Sequence, residues 1–241
     1  MILSNDRLGD ARGGYGGDRI TIPSRMNSTR RFCQGEHVCS VYSAADERDA
    51  LVTAYVLEGL EHNEQCLYGA LSEHAIESVD NRLNHAGVDV AGAITRAQWI
   101  RLTPHQTHLV GGRFDAERML RTLNDAIEAA LTAGFTGFRA CGDMSWLADE
   151  PPGCEQLVAY EAFLNNMFER QRALGLCLYD RQVLPSAVID HALATHPSVA
   201  LATSNVGNPY YRPEVASGSP TAHPHHVDSK LRELQQRQPS S

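Results

Sequence analysis

Residues that bind metals or carry redox chemistry recur in the short apolar segments of this sequence. His37 and Cys39 are two residues apart, and Cys141 and Cys177 lie in later apolar segments. Side chains two residues apart on a strand share one face of a sheet, so these residues would meet if their faces converge. Imidazole nitrogen and cysteine sulfur are ligands of zinc and other soft metals. The spacing is not that of a known closed zinc site, and the alternative is that these small residues simply pack beneath helices.

Three aromatic residues are of the type that lines small-molecule pockets. Tyr42, Trp146 and Tyr179 end or follow apolar segments, and their side chains combine an apolar body with a polar tip. Pockets for small molecules are built largely from such residues. The sequence therefore predicts an apolar cavity near these three residues, with ordinary core packing as the alternative.

One arginine lies within an apolar segment. Arg139 keeps its charge when buried, so it needs a carboxylate partner. Glu161 and Asp143 are the candidates, and such a pair is more often structural than ligand-binding.

The segment after the first predicted strand is where a nucleotide-binding fold would place its phosphate loop. That loop needs glycines, whose backbone N–H groups surround the phosphates, and a lysine that neutralises them. The segment here contains neither, and Lys230, far along the chain, is the only lysine in the protein. Ser43 and Asp46 are predicted to cap the following helix. Phosphate binding at this place is not expected.

Composition narrows the range of functions. The formal net charge is −8, which argues against a nucleic-acid partner. No apolar run approaches the roughly 18 residues that cross a bilayer, and the amino-terminal residues lack the apolar core of a signal peptide. We therefore expect a cytoplasmic protein without a membrane partner, whose six cysteines are reduced. Neither G-x-S-x-G nor H-E-x-x-H occurs, so no catalytic residues are predicted.

Apolar segments alternate with amphipathic ones between two polar tails, at residues 1–34 and 207–241. A polar helix could form over residues 227–238, although it has almost no apolar face. The pattern predicts strands at 37–42, 65–71, 99–102, 138–142, 176–179 and 199–202, and helices at 47–61, 74–85, 115–133, 155–174 and 185–194. Helical crossovers between strands produce a parallel sheet. The predicted fold class is α/β, one domain over residues 35–206 with helices on both faces of a mostly parallel sheet.

Several spaced motifs resemble one known family. Residues 35–42 (GEHVCSVY), 137–146 (GFRACGDMSW), 160–165 (YEAFLN) and 177–180 (CLYD), followed by His196-Pro197, resemble the MEDS domain. This is the sensory domain of methanogens and methylotrophs, and it includes a dichloromethane-responsive regulator. The resemblance covers roughly residues 35–202. It implies a layout like that of the RecA and circadian-clock ATPases without the phosphate loop.

The resemblance also implies a function and a set of positions. It implies a sensor of simple hydrocarbons or one-carbon derivatives, of the kind usually joined to a DNA-binding, kinase or other signalling unit. The matching positions, all but the last of which are taken as candidate ligand-binding residues, are His37, Cys39, Tyr42, Arg139, Asp143, Trp146, Glu161, Cys177, Tyr179, Asp180 and His196.

We therefore predict a stand-alone signal-transduction sensor that binds a small, largely uncharged molecule. Because the chain has no room for an output domain, it would act in regulation, such as that of transcription, through a protein partner or through self-association. No cofactor is expected on this interpretation. Two alternatives remain: a metal- or thiol-based redox sensor or enzyme that uses His37, Cys39, Cys141 and Cys177, and a non-catalytic ATPase-like scaffold for protein interaction.

Overall fold

The computed structural model describes residues 31–201, 204–213 and 227–237. Its strands are β1 (His37–Tyr42), β2 (Gln65–Gly69), β3 (Trp99–Leu102), β4 (Phe138–Asp143), β5 (Ala173–Asp180), β6 (Ser198–Leu201) and β7 (Ser204–Gly207). Its α-helices are α1 (Ala45–Glu61), α2 (Glu73–His85), α3 (Val90–Thr95), α4 (Ala116–Thr132), α5 (Leu157–Glu169), α6 (Ser186–Thr195) and α7 (Val227–Gln236). No helix among these residues has both the length and the apolar character needed to cross a bilayer.

The strands form one sheet in the order β3-β2-β4-β5-β1-β6-β7. All neighbouring pairs are parallel except β6 and β7, which are antiparallel. The predicted α/β class with a mostly parallel sheet is therefore confirmed. β5 lies at the centre of the sheet and pairs with both β1 and β4.

Each face of the sheet is covered by its own group of helices. Helices α1, α2 and α3 pack on one face, here called the α1 face, around residues such as Val52, Tyr55 and Leu83. Helices α4 to α7 pack on the other, the α5 face, around residues such as Ile127 and Leu164. Successive residues of a strand point to opposite faces, so each strand contributes to both cores.

One predicted helix is too long. The prediction over residues 155–174 merged α5 with the start of β5, because the apolar pattern continues through Ala173 and Leu174. In the structure these two residues are fully buried strand residues, paired with Phe138 and Arg139 of β4. The ladder of a central strand determines their conformation, and helix periodicity does not register that constraint.

Part of each predicted tail packs against the folded domain. Residues 1–30 of the predicted amino-terminal tail lie outside the described residues, but Phe32 is fully buried and packs edge-on against Tyr55. In the other predicted tail, α7 buries Val227, Leu231 and Leu234, which recur every three or four residues. Spacing of this kind places side chains on one side of a helix. The expectation that this helix lacks an apolar face was therefore wrong.

Candidate functional site

Four buried side chains converge on the α5 face. His37 begins β1, Cys177 lies within β5, Glu161 comes from α5, and His196 lies between α6 and β6. Their ligand-type atoms all lie within 4.8 Å of one another. Glu161 reaches the sheet because it lies four residues after Leu157 and three before Leu164, on the buried side of α5.

The Glu161 carboxylate is at the centre of this four-residue cluster. Its Oε2 lies 3.2 Å from His37 Nε2 and 3.4 Å from His196 Nε2. Cys177 Sγ lies 3.8 Å from the same oxygen and 3.5 Å from His37 Nε2. The other oxygen, Oε1, accepts a hydrogen bond from the Tyr179 hydroxyl at 3.0 Å. Among the described residues, neither lysine nor arginine forms an ion pair with Glu161.

Hydrogen bonds at the far side of each imidazole determine its tautomer. Asn165 donates its amide N–H to Thr195 O, so its Oδ1 faces His37 Nδ1 at 2.8 Å and must accept. His196 Nδ1 lies 2.8 Å from the carbonyl of Ala192, which can only accept. Both Nδ1 atoms therefore carry the proton. Both Nε2 atoms face Glu161, and His196 Nε2 is buried with no hydrogen-bond partner.

Burial governs ionisation in the cluster. Burial and the neighbouring His37 lower the pKa of His196 to about 3, so this imidazole is neutral near pH 7. Burial by itself would raise the pKa of Glu161, but His196, His37 and the Tyr179 hydroxyl together hold that pKa below its ordinary value. Burial and Glu161 raise the pKa of the Cys177 thiol well above its usual range. The described cluster thus contains a carboxylate, the neutral imidazole of His196 and a protonated thiol, next to His37.

A cavity of about 40 Å³ borders this cluster at Cys177. The sheet side of the cavity is formed by small residues on three adjacent strands: Gly69, Ala140, Gly142 and Gly175. The helix side is formed by apolar residues of α4 and α5: Met119, Leu123, Tyr160, Leu164 and Phe168. Glycine is required at 175, because a Cβ there would lie 2.4 Å from the Phe168 ring. The space exists because the strands carry almost no side-chain volume at this position.

The α1 face carries a different polar network near the carboxyl ends of β1 and β4. The Tyr42 hydroxyl lies 3.0 Å from Asp143 Oδ2 and 3.0 Å from Ser145 Oγ. Arg48, on α1, lies 3.8 Å from Asp143 and 2.7 Å from Asp49. Burial raises the pKa of Asp143, although the hydrogen bonds from Ser145 and the Arg48 charge oppose the shift.

Arg139 is also on the α1 face, and its predicted partners were wrong. Its side chain is fully buried and forms ion pairs with Glu64 and, at 3.3 Å, with Glu58. It also donates to Tyr55 O at 3.0 Å. Glu161 lies across the sheet and Asp143 further along the same strand. Glu64 just precedes β2, whose pairing with β4 brings it beside Arg139.

The family of this chain follows from its match to a family model. Residues 36–197, well over half of the chain, match the family model described as the methanogen/methylotroph, DcmR sensory domain, or MEDS. The chain belongs to the MEDS family. No curated protein is significantly similar to this MEDS chain. A KaiC-like protein from the hyperthermophilic archaeon Pyrococcus horikoshii OT3 is similar in structure, with 11% identity and a TM-score of 0.49 over 70% of this chain and 71% of that one.

The predicted site residues of this MEDS chain fall on two faces of the sheet. His37, Cys39, Cys177 and Tyr179 lie on the α5 face with Glu161, and Trp146 lies in the core of that face, stacked on His108. Tyr42 and Cys141 belong to the core of the α1 face, with Arg139 and Asp143 alternating beside Cys141 on β4. Asp180 ends β5 and accepts from the backbone of Gln182. Of the ten candidate ligand-binding residues, only Cys177 lines the 40 Å³ cavity.

Three sequence predictions need correction in detail. The four proposed metal ligands do not converge, because Cys141 points to the opposite face from His37 and Cys177. Tyr42 cannot share a cavity with Tyr179 for the same reason. Helix α1 begins after Ala44 without a side-chain cap, while Asp46 forms an ion pair with Arg82.

The cavity itself was missed by sequence reasoning. Its signal was present as small residues at matching positions of neighbouring strands: Gly69 pairs with Gly142, and Ala140 pairs with Gly175. Finding it would have required the strand order and register. Glu161 was easier to find in the sequence, because it is a charged residue at a buried position of an apolar helix.

Proposed function

We propose that this MEDS chain is a sensor that binds a small, largely uncharged molecule in the cavity between α4, α5 and the sheet. The observation that carries the proposal is the cavity and its apolar lining. A cavity needs about 10–15 Å³ on this measure to hold one water molecule, so about 40 Å³ fits a ligand of only a few non-hydrogen atoms. Pockets for larger ligands, nucleotides included, are about ten times larger. Hydrocarbon and one-carbon derivatives are of the right size.

The start of α1 argues against phosphate binding at the place where a nucleotide-binding fold would bind it. Asp46 and Glu47 occupy the first turn of α1, where a phosphate would otherwise gain from the helix dipole. The Glu47 carboxylate accepts from the Ser43 backbone N–H at 2.8 Å and so takes up a donor that a phosphate would need. These contacts disfavour a nucleotide at α1; the apolar residues that line the cavity on the other face are what favour an uncharged ligand.

The signal would pass to a regulatory partner or a second copy through α5. Tyr160 and Leu164 line the cavity, whereas Phe163 on the same helix is 61% exposed. A ligand acts only through a difference in affinity between two conformations. A small displacement of α5 on ligand binding would therefore change the surface around Phe163.

Thermal unfolding with short alcohols, aldehydes and halocarbons at millimolar concentration tests the proposal. A compound present at ten times its Kd should raise the Tm of a chain of this size by about 3–6 °C. Ala140→Leu should abolish the response, because the larger side chain occupies the cavity. The matched control is Ala129→Leu, at an exposed position of α4, which should respond like wild type. A flat response for all compounds, or an unchanged response in Ala140→Leu, would overturn the proposal.

A further inference from the structure

We propose that His37, Glu161, Cys177 and His196 form a binding site for a divalent transition metal, with zinc as the best fit. This inference goes beyond the proposed sensor function and does not depend on it. Two imidazoles, a carboxylate and a thiolate are all established zinc ligands. They come from four separate parts of the fold, β1, α5, β5 and the α6–β6 connection, and no local sequence motif contains them.

Four of the six distances between the ligand atoms are close to those of a tetrahedral site, and all six lie within 4.8 Å. Bonds of about 2.1 Å to nitrogen or oxygen and about 2.3 Å to sulfur place neighbouring tetrahedral ligands about 3.4 Å apart, or about 3.6 Å where one is sulfur. His37 Nε2 and His196 Nε2 lie 3.2 Å and 3.4 Å from Glu161 Oε2. Cys177 Sγ lies 3.5 Å from His37 Nε2 and 3.8 Å from Glu161 Oε2. A metal ion at the centre would need little movement of the ligands.

The hydrogen-bond pattern also supports a cation. Both Nδ1 atoms donate outward, to Asn165 Oδ1 and to Ala192 O, so both Nε2 atoms face the centre of the cluster. His196 Nε2 is buried there with no hydrogen-bond partner, and a buried acceptor without a partner is unfavourable unless a cation binds it. Metal-bound histidines typically donate their other N–H to a carbonyl or carboxylate oxygen, as these two do to carbonyl oxygens.

Two cavities border the proposed metal site, each next to a different ligand residue. The apolar cavity is lined by Cys177, and a surface cleft of about 330 Å³ at the amino-terminal end of β1 is lined by His37 and Asn165. The cleft offers a route by which a metal ion could approach, which a buried site requires. A molecule in the apolar cavity would contact Cys177, one of the metal ligands. Binding at one site would therefore change the affinity of the other.

Metal analysis of the full chain tests the proposal. Protein stripped with a chelator and reloaded with Zn²⁺ should contain one metal ion per chain by mass spectrometry. At a hundredfold excess of Zn²⁺ over its Kd, Tm should rise by about 5–10 °C. Co²⁺ in place of Zn²⁺ should give the intense visible bands of a tetrahedral site and a near-ultraviolet band from cysteine sulfur to cobalt.

Matched variants separate the proposed site from chance metal binding. Cys177→Ser should remove the sulfur-to-cobalt band, whereas Cys39→Ser should keep it, although Cys39 is also buried and pairs with Cys177 in the sheet. Glu161→Gln should weaken Zn²⁺ binding by a factor of about 100 or more, since even outer partners of metal ligands contribute 10–100-fold. If Cys177→Ser does not fold, as judged by circular dichroism, the Glu161→Gln measurement decides.

Three results would overturn the inference. These are less than stoichiometric metal, a cobalt spectrum unchanged by Cys177→Ser, and equal loss of the sulfur band in Cys39→Ser. The sensor proposal is tested independently of the metal site, because Ala140→Leu changes the cavity but none of the four metal ligands. A protein that responds to halocarbons but binds no metal would contradict only the metal site.

Discussion

The carboxylates near the sheet on the α1 face and Glu161 on the α5 face are buried in different ways. On the α1 face the carboxylates lie next to arginine: Glu64 and Glu58 next to Arg139, and Asp49 and Asp143 next to Arg48. On the α5 face, among the described residues, the polar groups around Glu161 are two imidazoles, a thiol and a tyrosine hydroxyl, without arginine or lysine.

On our proposal, this difference separates a structural network from a metal-binding site. A buried carboxylate beside a guanidinium is already compensated, and its role is to hold the fold together. Glu161 accepts from the Tyr179 hydroxyl and lies near the Cys177 thiol, but among the described residues it has no arginine or lysine partner. The proposed metal ion would supply the missing positive charge.

The largest effect is expected from Arg139→Met. The substitution leaves Glu64 buried without its guanidinium partner, and breaking a buried pair in this way costs about 3–5 kcal/mol. Urea denaturation measures the loss. The control is Arg101→Met, whose pair with Asp80 is partly exposed and should cost about 1 kcal/mol or less. A loss as small as the control's would mean that the α1 network is not structural.

Acidification should destabilise the protein through the α5 face. Burial lowers the pKa of His108, which stacks on Trp146, from 6.5 to about 4. Between these pH values the unfolded chain takes up a proton that the folded chain does not. The stability from neutral His108 is thus complete above pH 6.5 and decreases as pH falls toward 4, by up to about 3 kcal/mol at about 1.4 kcal/mol per pKa unit.

His108→Phe should therefore reduce, though not abolish, the dependence of unfolding free energy on pH over this window, since burial also lowers the pKa of His196. The aromatic ring is kept, so the contact with Trp146 is expected to survive. His74→Phe, at an exposed position of α2, serves as the control and should retain the wild-type slope. Equal slopes in wild type and His108→Phe would show that this histidine does not titrate differently in the two states.

Glu161→Gln should stabilise the metal-free protein, in contrast to the Arg139 variant. The glutamine amide can donate to His37 Nε2 and His196 Nε2 while its oxygen still accepts from Tyr179. Two new hydrogen bonds suggest a gain of about 1–2 kcal/mol. Chemical denaturation in the presence of a chelator measures it. A loss of several kcal/mol would place Glu161 with the structural carboxylates of the α1 face.

The smallest effect is expected from Tyr42→Phe. It removes the hydroxyl that contacts Asp143 and Ser145, but Asp143 keeps the Ser145 backbone N–H and the nearby Arg48. We expect a loss of about 1 kcal/mol by denaturation, the usual contribution of one hydrogen bond. A much larger loss would indicate that the Tyr42 hydroxyl organises the whole network.

Local patterns in the sequence determined most of the elements. The strand at His37–Tyr42 and the strand at Trp99–Leu102 match their predicted bounds, and α4 ends before Gly134, whose φ of 91° favours glycine. Short or polar elements such as α3 and β7 were missed. Their residues carry little apolar periodicity, and their conformations depend on the neighbouring strands and loops.

The sequence by itself determined the α/β class, the family and the residue types available for chemistry. Period-two and period-3.6 patterns, together with motifs spread along the chain, contain that information. Only the tertiary structure decided which residues meet: Arg139 with Glu64, Glu161 with His37 and His196, and Cys141 apart from Cys177. The physical reason is that strand order and register, together with the position of α5 over β5, bring distant residues into contact, and local periodicity contains none of these quantities.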